Sequence, residues 1–491
     1  MMNQWNLLIP VLLPILMGIV ISVWNIFENR VIRNSSVMAV LAAEIFLVYW
    51  EMKKKGTGLV LFTLVDDIPV YFHIDELAVF FSGFLVMIWF LVGMFSLEYM
   101  KHEGDERRYD TFYLIAEGVL VALSYAGNLI TLYLCFECMT LLTMPLVLHS
   151  KTREAVRAAR KYMFYSIFGA SAALGGICIL AIYAPSITFI PGGVFTAQNF
   201  TDHATLYLAA AAIMIVGFGG KAGLFPLHGW LPTAHPQAPS PASAVMSGVI
   251  TKMGVLASMR TVFYIFGADV LRGTWVQILW MILAVITIFM GSMMAYKESL
   301  MKRRFAYSTV SQVSYILLGL SSMTVAGIIG GLLHILFHGI AKTVLFLMSG
   351  SVIYYSKKTR IKELDGIGKQ MPGIMAGYTV ASLALVGVPF TSAFVSKEYL
   401  AHGVMESGIK GLFWIGPAVL LISAVLTAGY LLFVSIDAFY PKNQKKGRWE
   451  KYQINWKMRF PICVLAAGSA VFGIWPETFI QIAAKIAEFL V

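Results

Sequence analysis

The stretch G-F-G-G-K-A-G-L-F-P-L-H-G-W-L-P-T-A-H-P-Q-A-P-S-P-A-S-A-V-M-S-G-V-I-T-K runs from Gly217 to Lys252. Apolar sequence leads into it and out of it, yet it holds two lysines, two histidines and five prolines. A lysine at bilayer depth costs roughly 2.5–3.5 kcal/mol on insertion scales, so such residues line a polar path or pair with one another. Backbone groups freed by proline and glycine at that depth are tolerable only against protein or water. The stretch therefore reads as an interrupted helix inside a membrane bundle. Composition agrees: the chain is 58% hydrophobic and 13% charged, with mean hydropathy +0.75. A soluble protein of 491 residues does not need that much apolar surface, whereas a multi-span one does.

Working outward, hydropathy marks about fourteen helical spans by the ~20-residue criterion. They lie near 6–27, 35–50, 76–98, 110–127, 129–149, 161–184, 205–230, 240–265, 275–295, 305–322, 325–355, 372–402, 412–440 and 459–490. The eleventh and twelfth exceed one membrane thickness, which predicts tilt or interruption. The first is apolar from Trp5 with no basic leader, and reads as a retained span instead of a signal peptide. Between the second and third, V-L-F-T-L-V-D-D-I-P-V-Y-F-H reads as a short extramembrane hairpin turning at Asp66-Asp67.

The net charge of +11 is explained by basic loops held on the cytoplasmic side, not by a nucleic-acid partner. With the N-terminus on one face, the odd-to-even loops carry 26 basic residues and the opposite face 6. This split places both termini outside and the basic loops in the cytoplasm of a cell (inner) membrane. Five basic residues remain within spans: Lys221, Lys252, Arg260, Lys342 and Lys397. Arg260 is near a helix end, where it can snorkel.

The deep charges are the candidate site. Lys221 lies about 15 residues into its span and Lys252 about 12 into the next, near the bilayer middle at 1.5 Å per residue. Lys397 follows Pro389 in G-V-P-F-T-S-A-F-V-S-K-E, a second interrupted span. Glu137, in L-C-F-E-C-M, is also near mid-span. A lone Glu–Lys pair reads as structural. Four deep lysines with few mid-span acids read instead as a proton-passing device, because moving one charge changes the proton affinity of the next. In L-L-H-I-L-F-H-G-I-A-K, His334, His338 and Lys342 recur every four residues and share one helical face. Histidine titrates near neutral pH, and no H-E-x-x-H or further ligand cluster supports zinc there. His228, at the first interruption, either joins the file or caps free carbonyls. Glu44 and Glu117 face a neighbouring subunit, a lipid-facing cavity or a partner within the chain. Glu398 points away from Lys397, since adjacent residues do not share a face.

No phosphate-binding loop, dinucleotide fingerprint or nucleophile elbow occurs. Cys135 and Cys138 form a C-x-x-C without the further ligands a zinc or iron–sulfur site wants. No metal, cofactor or catalytic residue is expected in this chain, so its energy source lies elsewhere.

The block Lys221–Lys252, with R-F-A-Y-S-T-V-S-Q (Arg304–Gln312), H-I-L-F-H-G-I-A-K and F-V-S-K-E, resembles the antiporter-like proton-translocating subunits. These occur in respiratory complex I, Mrp-type sodium/proton antiporters and membrane-bound hydrogenases. The resemblance covers essentially the whole chain. It implies an all-α integral membrane fold of fourteen core helices with two inverted five-helix repeats, the seventh and twelfth helices being discontinuous. The corresponding divisions are 1–109, 110–270 for helices four to eight, 271–440 for helices nine to thirteen, and 441–491. By resemblance, Glu137 partners Lys221, Lys252 is the central lysine, His334, His338 and Lys342 are the linking file, and Lys397 is the exit group. The lysine at 397, and a sequence ending just after span fourteen, favour a Mrp-type or hydrogenase-related module over a standard complex I subunit.

The function expected is a subunit of a multi-subunit complex that carries protons through this row, coupled to a redox reaction or to Mrp-type exchange. The first rival is a sodium/proton antiporter subunit driven by an existing gradient, in which Na+ joins H+ as cargo. A stand-alone solute carrier and an idle scaffold are weaker rivals. The first needs a substrate pocket, and the second gains stability by replacing its lysines with apolar residues. The topology is testable directly. A single cysteine introduced in the loop 357–369 should react with a membrane-impermeant maleimide in inverted vesicles and not in right-side-out cells.

Overall fold

A computed structural model describes residues 4–64, 68–441 and 450–491. The hairpin turn expected at Asp66-Asp67 and part of the last basic loop lie outside the described residues. Two peripheral helices come first, α1 (Ile9–Val23) and α2 (Arg30–Met52). An antiparallel hairpin follows, with β1 (Gly58–Thr63) pairing Leu59 to Phe72 on β2 (Pro69–His73). Next are α3 (Glu76–Glu103), α4 (Glu106–Ser124), α5 (Leu129–Val147), α6 (Arg153–Tyr183), α7 (Ala204–Ala222) and the short α8 (Leu231–Gln237). Then come α9 (Ser240–Phe266), α10 (Trp275–Lys297), α11 (Met301–Ser321) and α12 (Val325–Ser356). The chain closes with α13 (Pro372–Val386), α14 (Ser392–Glu406), α15 (Leu412–Phe439), α16 (Trp456–Ile474) and α17 (Glu477–Glu488).

Local sequence sets the helix starts. Asp75, Asn128, Thr152 and Thr324 each accept a hydrogen bond from a backbone N–H in the first turn of α3, α5, α6 and α12. Such caps satisfy donors that the helix itself cannot.

Among the described residues, eleven helices are long and apolar enough to cross a membrane, against the roughly fourteen spans expected from hydropathy. The difference has a physical cause. α4 opens on Glu106, Arg107, Arg108 and Asp110, and α11 carries Lys302, Arg303 and Arg304. Both helices are largely enclosed by protein, which lifts the demand for an apolar surface. The twelfth expected span is split into α13 and α14, of 15 residues each. Layering follows the same rule. The most apolar stretch of α1 and of α2 is 33% buried, that of α12 is 89% buried, and that of α9 is 100% buried. α9 and α12, which carry Lys252 and the histidine file, are therefore the core of the bundle.

Three basic residues are placed differently from the loop and snorkelling assignments. Arg33 is inside α2, 3% exposed, and its Nε donates to Asp110 on α4 at 2.9 Å. Lys302 is 8% exposed within α11. Arg260 does not reach water: its guanidinium grips both oxygens of Asp75, with Nη2 to Oδ1 at 2.8 Å, and lies 4.4 Å from the Tyr264 ring centre. In each case a tertiary partner holds the charge inside.

Asp75, just outside α3, both caps that helix and faces Arg260. Burial alone would raise its carboxyl, but the guanidinium charge and the hydrogen bonds from Arg260 and Ala78 hold it below the usual carboxylate range. A depressed folded value means that the stabilisation is complete above the unfolded carboxylate value. It is lost as pH falls through the folded one. Asp75→Asn should therefore cost about 3–5 kcal/mol at neutral pH, the scale for breaking a buried pair. Thermal unfolding of the purified chain should show the gap from wild type closing as pH drops below the ordinary carboxylate range.

Candidate functional site

The interruption that dominates the sequence is built by one glycine. α7 stops at Ala222 because Gly223 adopts φ +92°, and a Cβ there would lie 2.6 Å from Leu231 Cδ1. A left-handed residue without a side chain ends a helix at little cost. The turn Leu227–Trp230 then leads into α8. Freed backbone groups find partners: Trp230 Nε1 donates to the Gly220 carbonyl at 3.0 Å, and Phe225 N–H donates to Thr287 Oγ1 at 3.0 Å. The winding stops before Pro226, at the glycine.

Lys221 is in the last turn of α7, 2% exposed. Its ammonium donates to Tyr162 OH at 2.6 Å, Thr140 Oγ1 at 2.9 Å and Ser166 Oγ at 3.3 Å, and lies 4.3 Å from the Tyr162 ring centre. Three hydroxyls from α5 and α6 thus occupy its three donors. Glu137 is half-buried on α5, one turn from Thr140, and its charge acts on Lys221. Among the described residues the two make no direct ion pair. His228 is half-buried beside the interruption with its ring stacked on Phe225 at 5.9 Å and no bond to Lys221.

A second group gathers around α12. Lys252, His334, His338 and Lys342 are all 0% exposed. Lys252 Nζ donates to the Ser247 carbonyl, which lies in a widened turn of α9 at Met246–Ile250. The rings of His334 and His338 are 5.7 Å apart and nearly parallel. His334 Nδ1 is 2.8 Å from Ser396 Oγ on α14, and its Nε2 is 3.1 Å from Gln312 Oε1 on α11. His338 has no partner on either ring nitrogen. Lys342 Nζ donates to the Phe305 carbonyl at 3.3 Å.

Lys397 repeats the logic of Lys221 in another form. α13 ends at Gly387, with φ +85°, and Lys397 on α14 reaches back to the freed carbonyls of Leu385 at 2.6 Å and Val386 at 2.9 Å. A cation at a helix C-terminus also meets the negative end of the helix dipole. Tyr315 joins Lys397 to the histidines, its ring centre 5.3 Å from Lys397 Nζ and 5.5 Å from the His334 ring.

Two sets result. Lys252, His334, Lys342 and Lys397 lie within charge reach of His338 and form one set with it. Lys221 and Glu137 form the other set. α7 and α9 touch backbone to backbone, a Cβ on Gly254 falling 2.6 Å from Ala222 N. Yet among the described residues no hydrogen bond joins Lys221 to Lys252. Next to Lys252, the hydroxyl of Ser247 pairs with that of Thr309 on α11 at 2.7 Å.

Sequence reading missed the hydroxyls Thr140, Tyr162 and Ser166, together with Gln312, Tyr315 and Ser396. The available signal was position: Thr140 follows Glu137 by one turn, Gln312 closes the Arg304–Gln312 block, and Ser396 precedes Lys397. Also missed were Lys302, which donates to the Ala238 carbonyl at 2.7 Å, and His235, enclosed with both ring nitrogens unpartnered and stacked on Phe346 at 4.7 Å.

Residues 126–427 match the family described as NADH:quinone oxidoreductase/Mrp antiporter, TM. NADH-quinone oxidoreductase subunit N of Desulforudis audaxviator is 32% identical over 429 residues, 83% of this chain and 82% of that protein. F(420)H(2) dehydrogenase subunit N of Methanosarcina mazei is 28% identical over 510 aligned positions, covering 100% of both. A chain of the Mrp complex from a Dietzia species superposes with TM-score 0.86 at 19% identity, covering 100% of this chain and 98% of that one. The last likeness is one of fold.

Two substitutions test the geometry around Lys221. Gly223→Ala should destabilise the chain by about 1–2 kcal/mol, the cost of a left-handed L-residue, read as a lowered unfolding temperature. Tyr162→Phe removes the shortest acceptor of the ammonium and should cost about 1.5–3 kcal/mol, the range for a hydrogen bond to a charged group.

Proposed function

This multi-pass membrane chain belongs to the NADH:quinone oxidoreductase/Mrp antiporter family, and on that premise we propose that it carries protons as one subunit of a larger ion-translocating complex. The observation behind this reading is the row itself: three lysines and His334 around α12 whose partners are carbonyls, a hydroxyl and one amide, and His338 with no partner, with no acid paired to any of them among the described residues. An idle bundle is more stable with apolar residues at such positions.

In this reading protons enter near Glu137 and Lys221, pass Lys252 and the face of His334, His338 and Lys342, and leave beside Lys397. His228 is an accessory group at the entry. Charges interact strongly in a low-dielectric interior, so a proton lost by one member alters the hold of the next. The gap between Lys221 and Lys252 is where a driving reaction elsewhere in the complex gates passage. Fourteen core helices are assigned by counting α7 with α8 and α13 with α14 as interrupted single spans, and α16 with α17 as the last. Helices four to eight (110–270) and nine to thirteen (271–440) are then the two inverted repeats, after a three-helix segment (1–109) and before the final span (441–491). Inverted repeats with discontinuous helices at mid-membrane are a known transporter design. The termini are outside, and the basic loops face the cytoplasm.

The partners proposed are the other subunits of a redox-driven or Mrp-type assembly. Sodium/proton exchange is the second reading, favoured by the Mrp half of the family description.

Lys221→Ala and Glu137→Ala should each abolish coupled proton movement while the complex still assembles. Proteoliposomes of the purified complex with a pH-sensitive dye measure the first, and gel filtration the second. Full pumping by either variant sinks the proposal. Persistence of wild-type pumping in sodium-free buffer separates proton transport from exchange.

A further inference from the structure

Away from the lysine row, two carboxylates are enclosed with nothing to hold them. Glu44 on α2 and Glu117 on α4 are both 0% exposed, and all four of their oxygens lack a hydrogen-bond partner. Their charges act on each other. The packing of α2 and α4 places them at one level of the bundle. α2 and α4 start side by side at the Arg33–Asp110 pair, 2.9 Å. Further along, a Cβ on Gly93 of α3 would lie 2.4 Å from Leu41 of α2 and 3.4 Å from Tyr113 of α4. Glu44 and Glu117 each lie one turn beyond those residues on helices running the same way.

Among the described residues, no cation is paired with either acid. α1 carries no ionisable side chain, and the charged residues of α3 are confined to its two ends. α5, on the other side of α4, turns Glu137 toward Lys221. Tyr113 lies one turn before Glu117, while Tyr125 and Glu51 lie beyond Glu44 toward the hairpin. Glu51 is itself paired with Lys54 at 2.6 Å. Two adjacent buried carboxylates cannot both stay ionised without a counter-charge: each buried ion costs several kcal/mol, and like charges add to it. A bound metal ion is disfavoured, since hard cations take about six to eight oxygen ligands and no third acid joins the pair among the described residues.

We propose that Glu44 and Glu117 form a second proton-binding site in the membrane region, a carboxyl pair that holds protons independently of the lysine row. Each bound proton converts one carboxylate to a neutral carboxylic acid and so removes its repulsion of the other. Toward the α4 start the pair is continued by Tyr113 and then Tyr109, whose hydroxyl is buried without a partner. Beyond them is the Arg33, Glu106 and Asp110 cluster. The Tyr113 hydroxyl itself donates to the Trp89 carbonyl at 2.6 Å.

Infrared difference spectra of the full chain in lipid nanodiscs, wild type minus the Glu44→Gln, Glu117→Gln double variant, test the proposal. The expected result at neutral pH is a protonated-carboxyl band that shifts in heavy water and weakens in each single variant. No difference band overturns it. So does a wild-type band that vanishes in sodium chloride but survives in choline chloride, because the pair is then a sodium site. If the double variant does not fold, the single variants decide: each must lose band intensity, and an unchanged band in both overturns the proposal.

Discussion

An ammonium group enclosed in a helical bundle has to find acceptors, and helices consume their own carbonyls. Two solutions to that constraint shape this molecule. At Lys221, three hydroxyls converge from two neighbouring helices. At Lys252 and Lys397, local distortions release carbonyls: a widened turn at Met246–Ile250 and a helix end at Gly387. The irregularities of the backbone are therefore where Lys252 and Lys397 find their acceptors.

The layering of the bundle follows. Helices that carry charge must be shielded from lipid, so α9 and α12 are central, and α4 and α11 can be polar along their length. Peripheral helices such as α1 and α2 expose large apolar side chains, while α2 turns Arg33, Glu44 and Glu51 inward. The same logic makes Glu44 and Glu117 conspicuous. Every lysine of the row has a protein acceptor, whereas these two acids have none.

Much of the fold was readable from hydropathy. The predicted spans coincide with helices along the chain, although only eleven satisfy length and apolarity among the described residues. The rest differ because apolar character reports contact with lipid, and α4 and α11 have little. The same reading misjudged depth. Arg260 and Lys302 looked like residues of helix ends or loops, yet Asp75 and the Ala238 carbonyl hold them inside. Proline and glycine together signalled the interruptions, near Pro226 and Pro389, and left-handed Gly223 and Gly387 are where the helices end.

By itself the sequence determined the membrane class, the approximate spans, the family resemblance and the identity of the buried cations, because each is recorded in composition, periodicity or motif. Only the tertiary structure decided which groups those cations touch. A threonine or tyrosine in an apolar span reads the same whether it faces lipid or a lysine, so Thr140, Tyr162 and Ser166 became visible only once α5, α6 and α7 were packed together. The Gly217–Lys252 stretch announced two buried lysines. Packing divided them, Lys221 toward hydroxyls on one side and Lys252 toward its own helix, because each ammonium only donates and must find a separate acceptor.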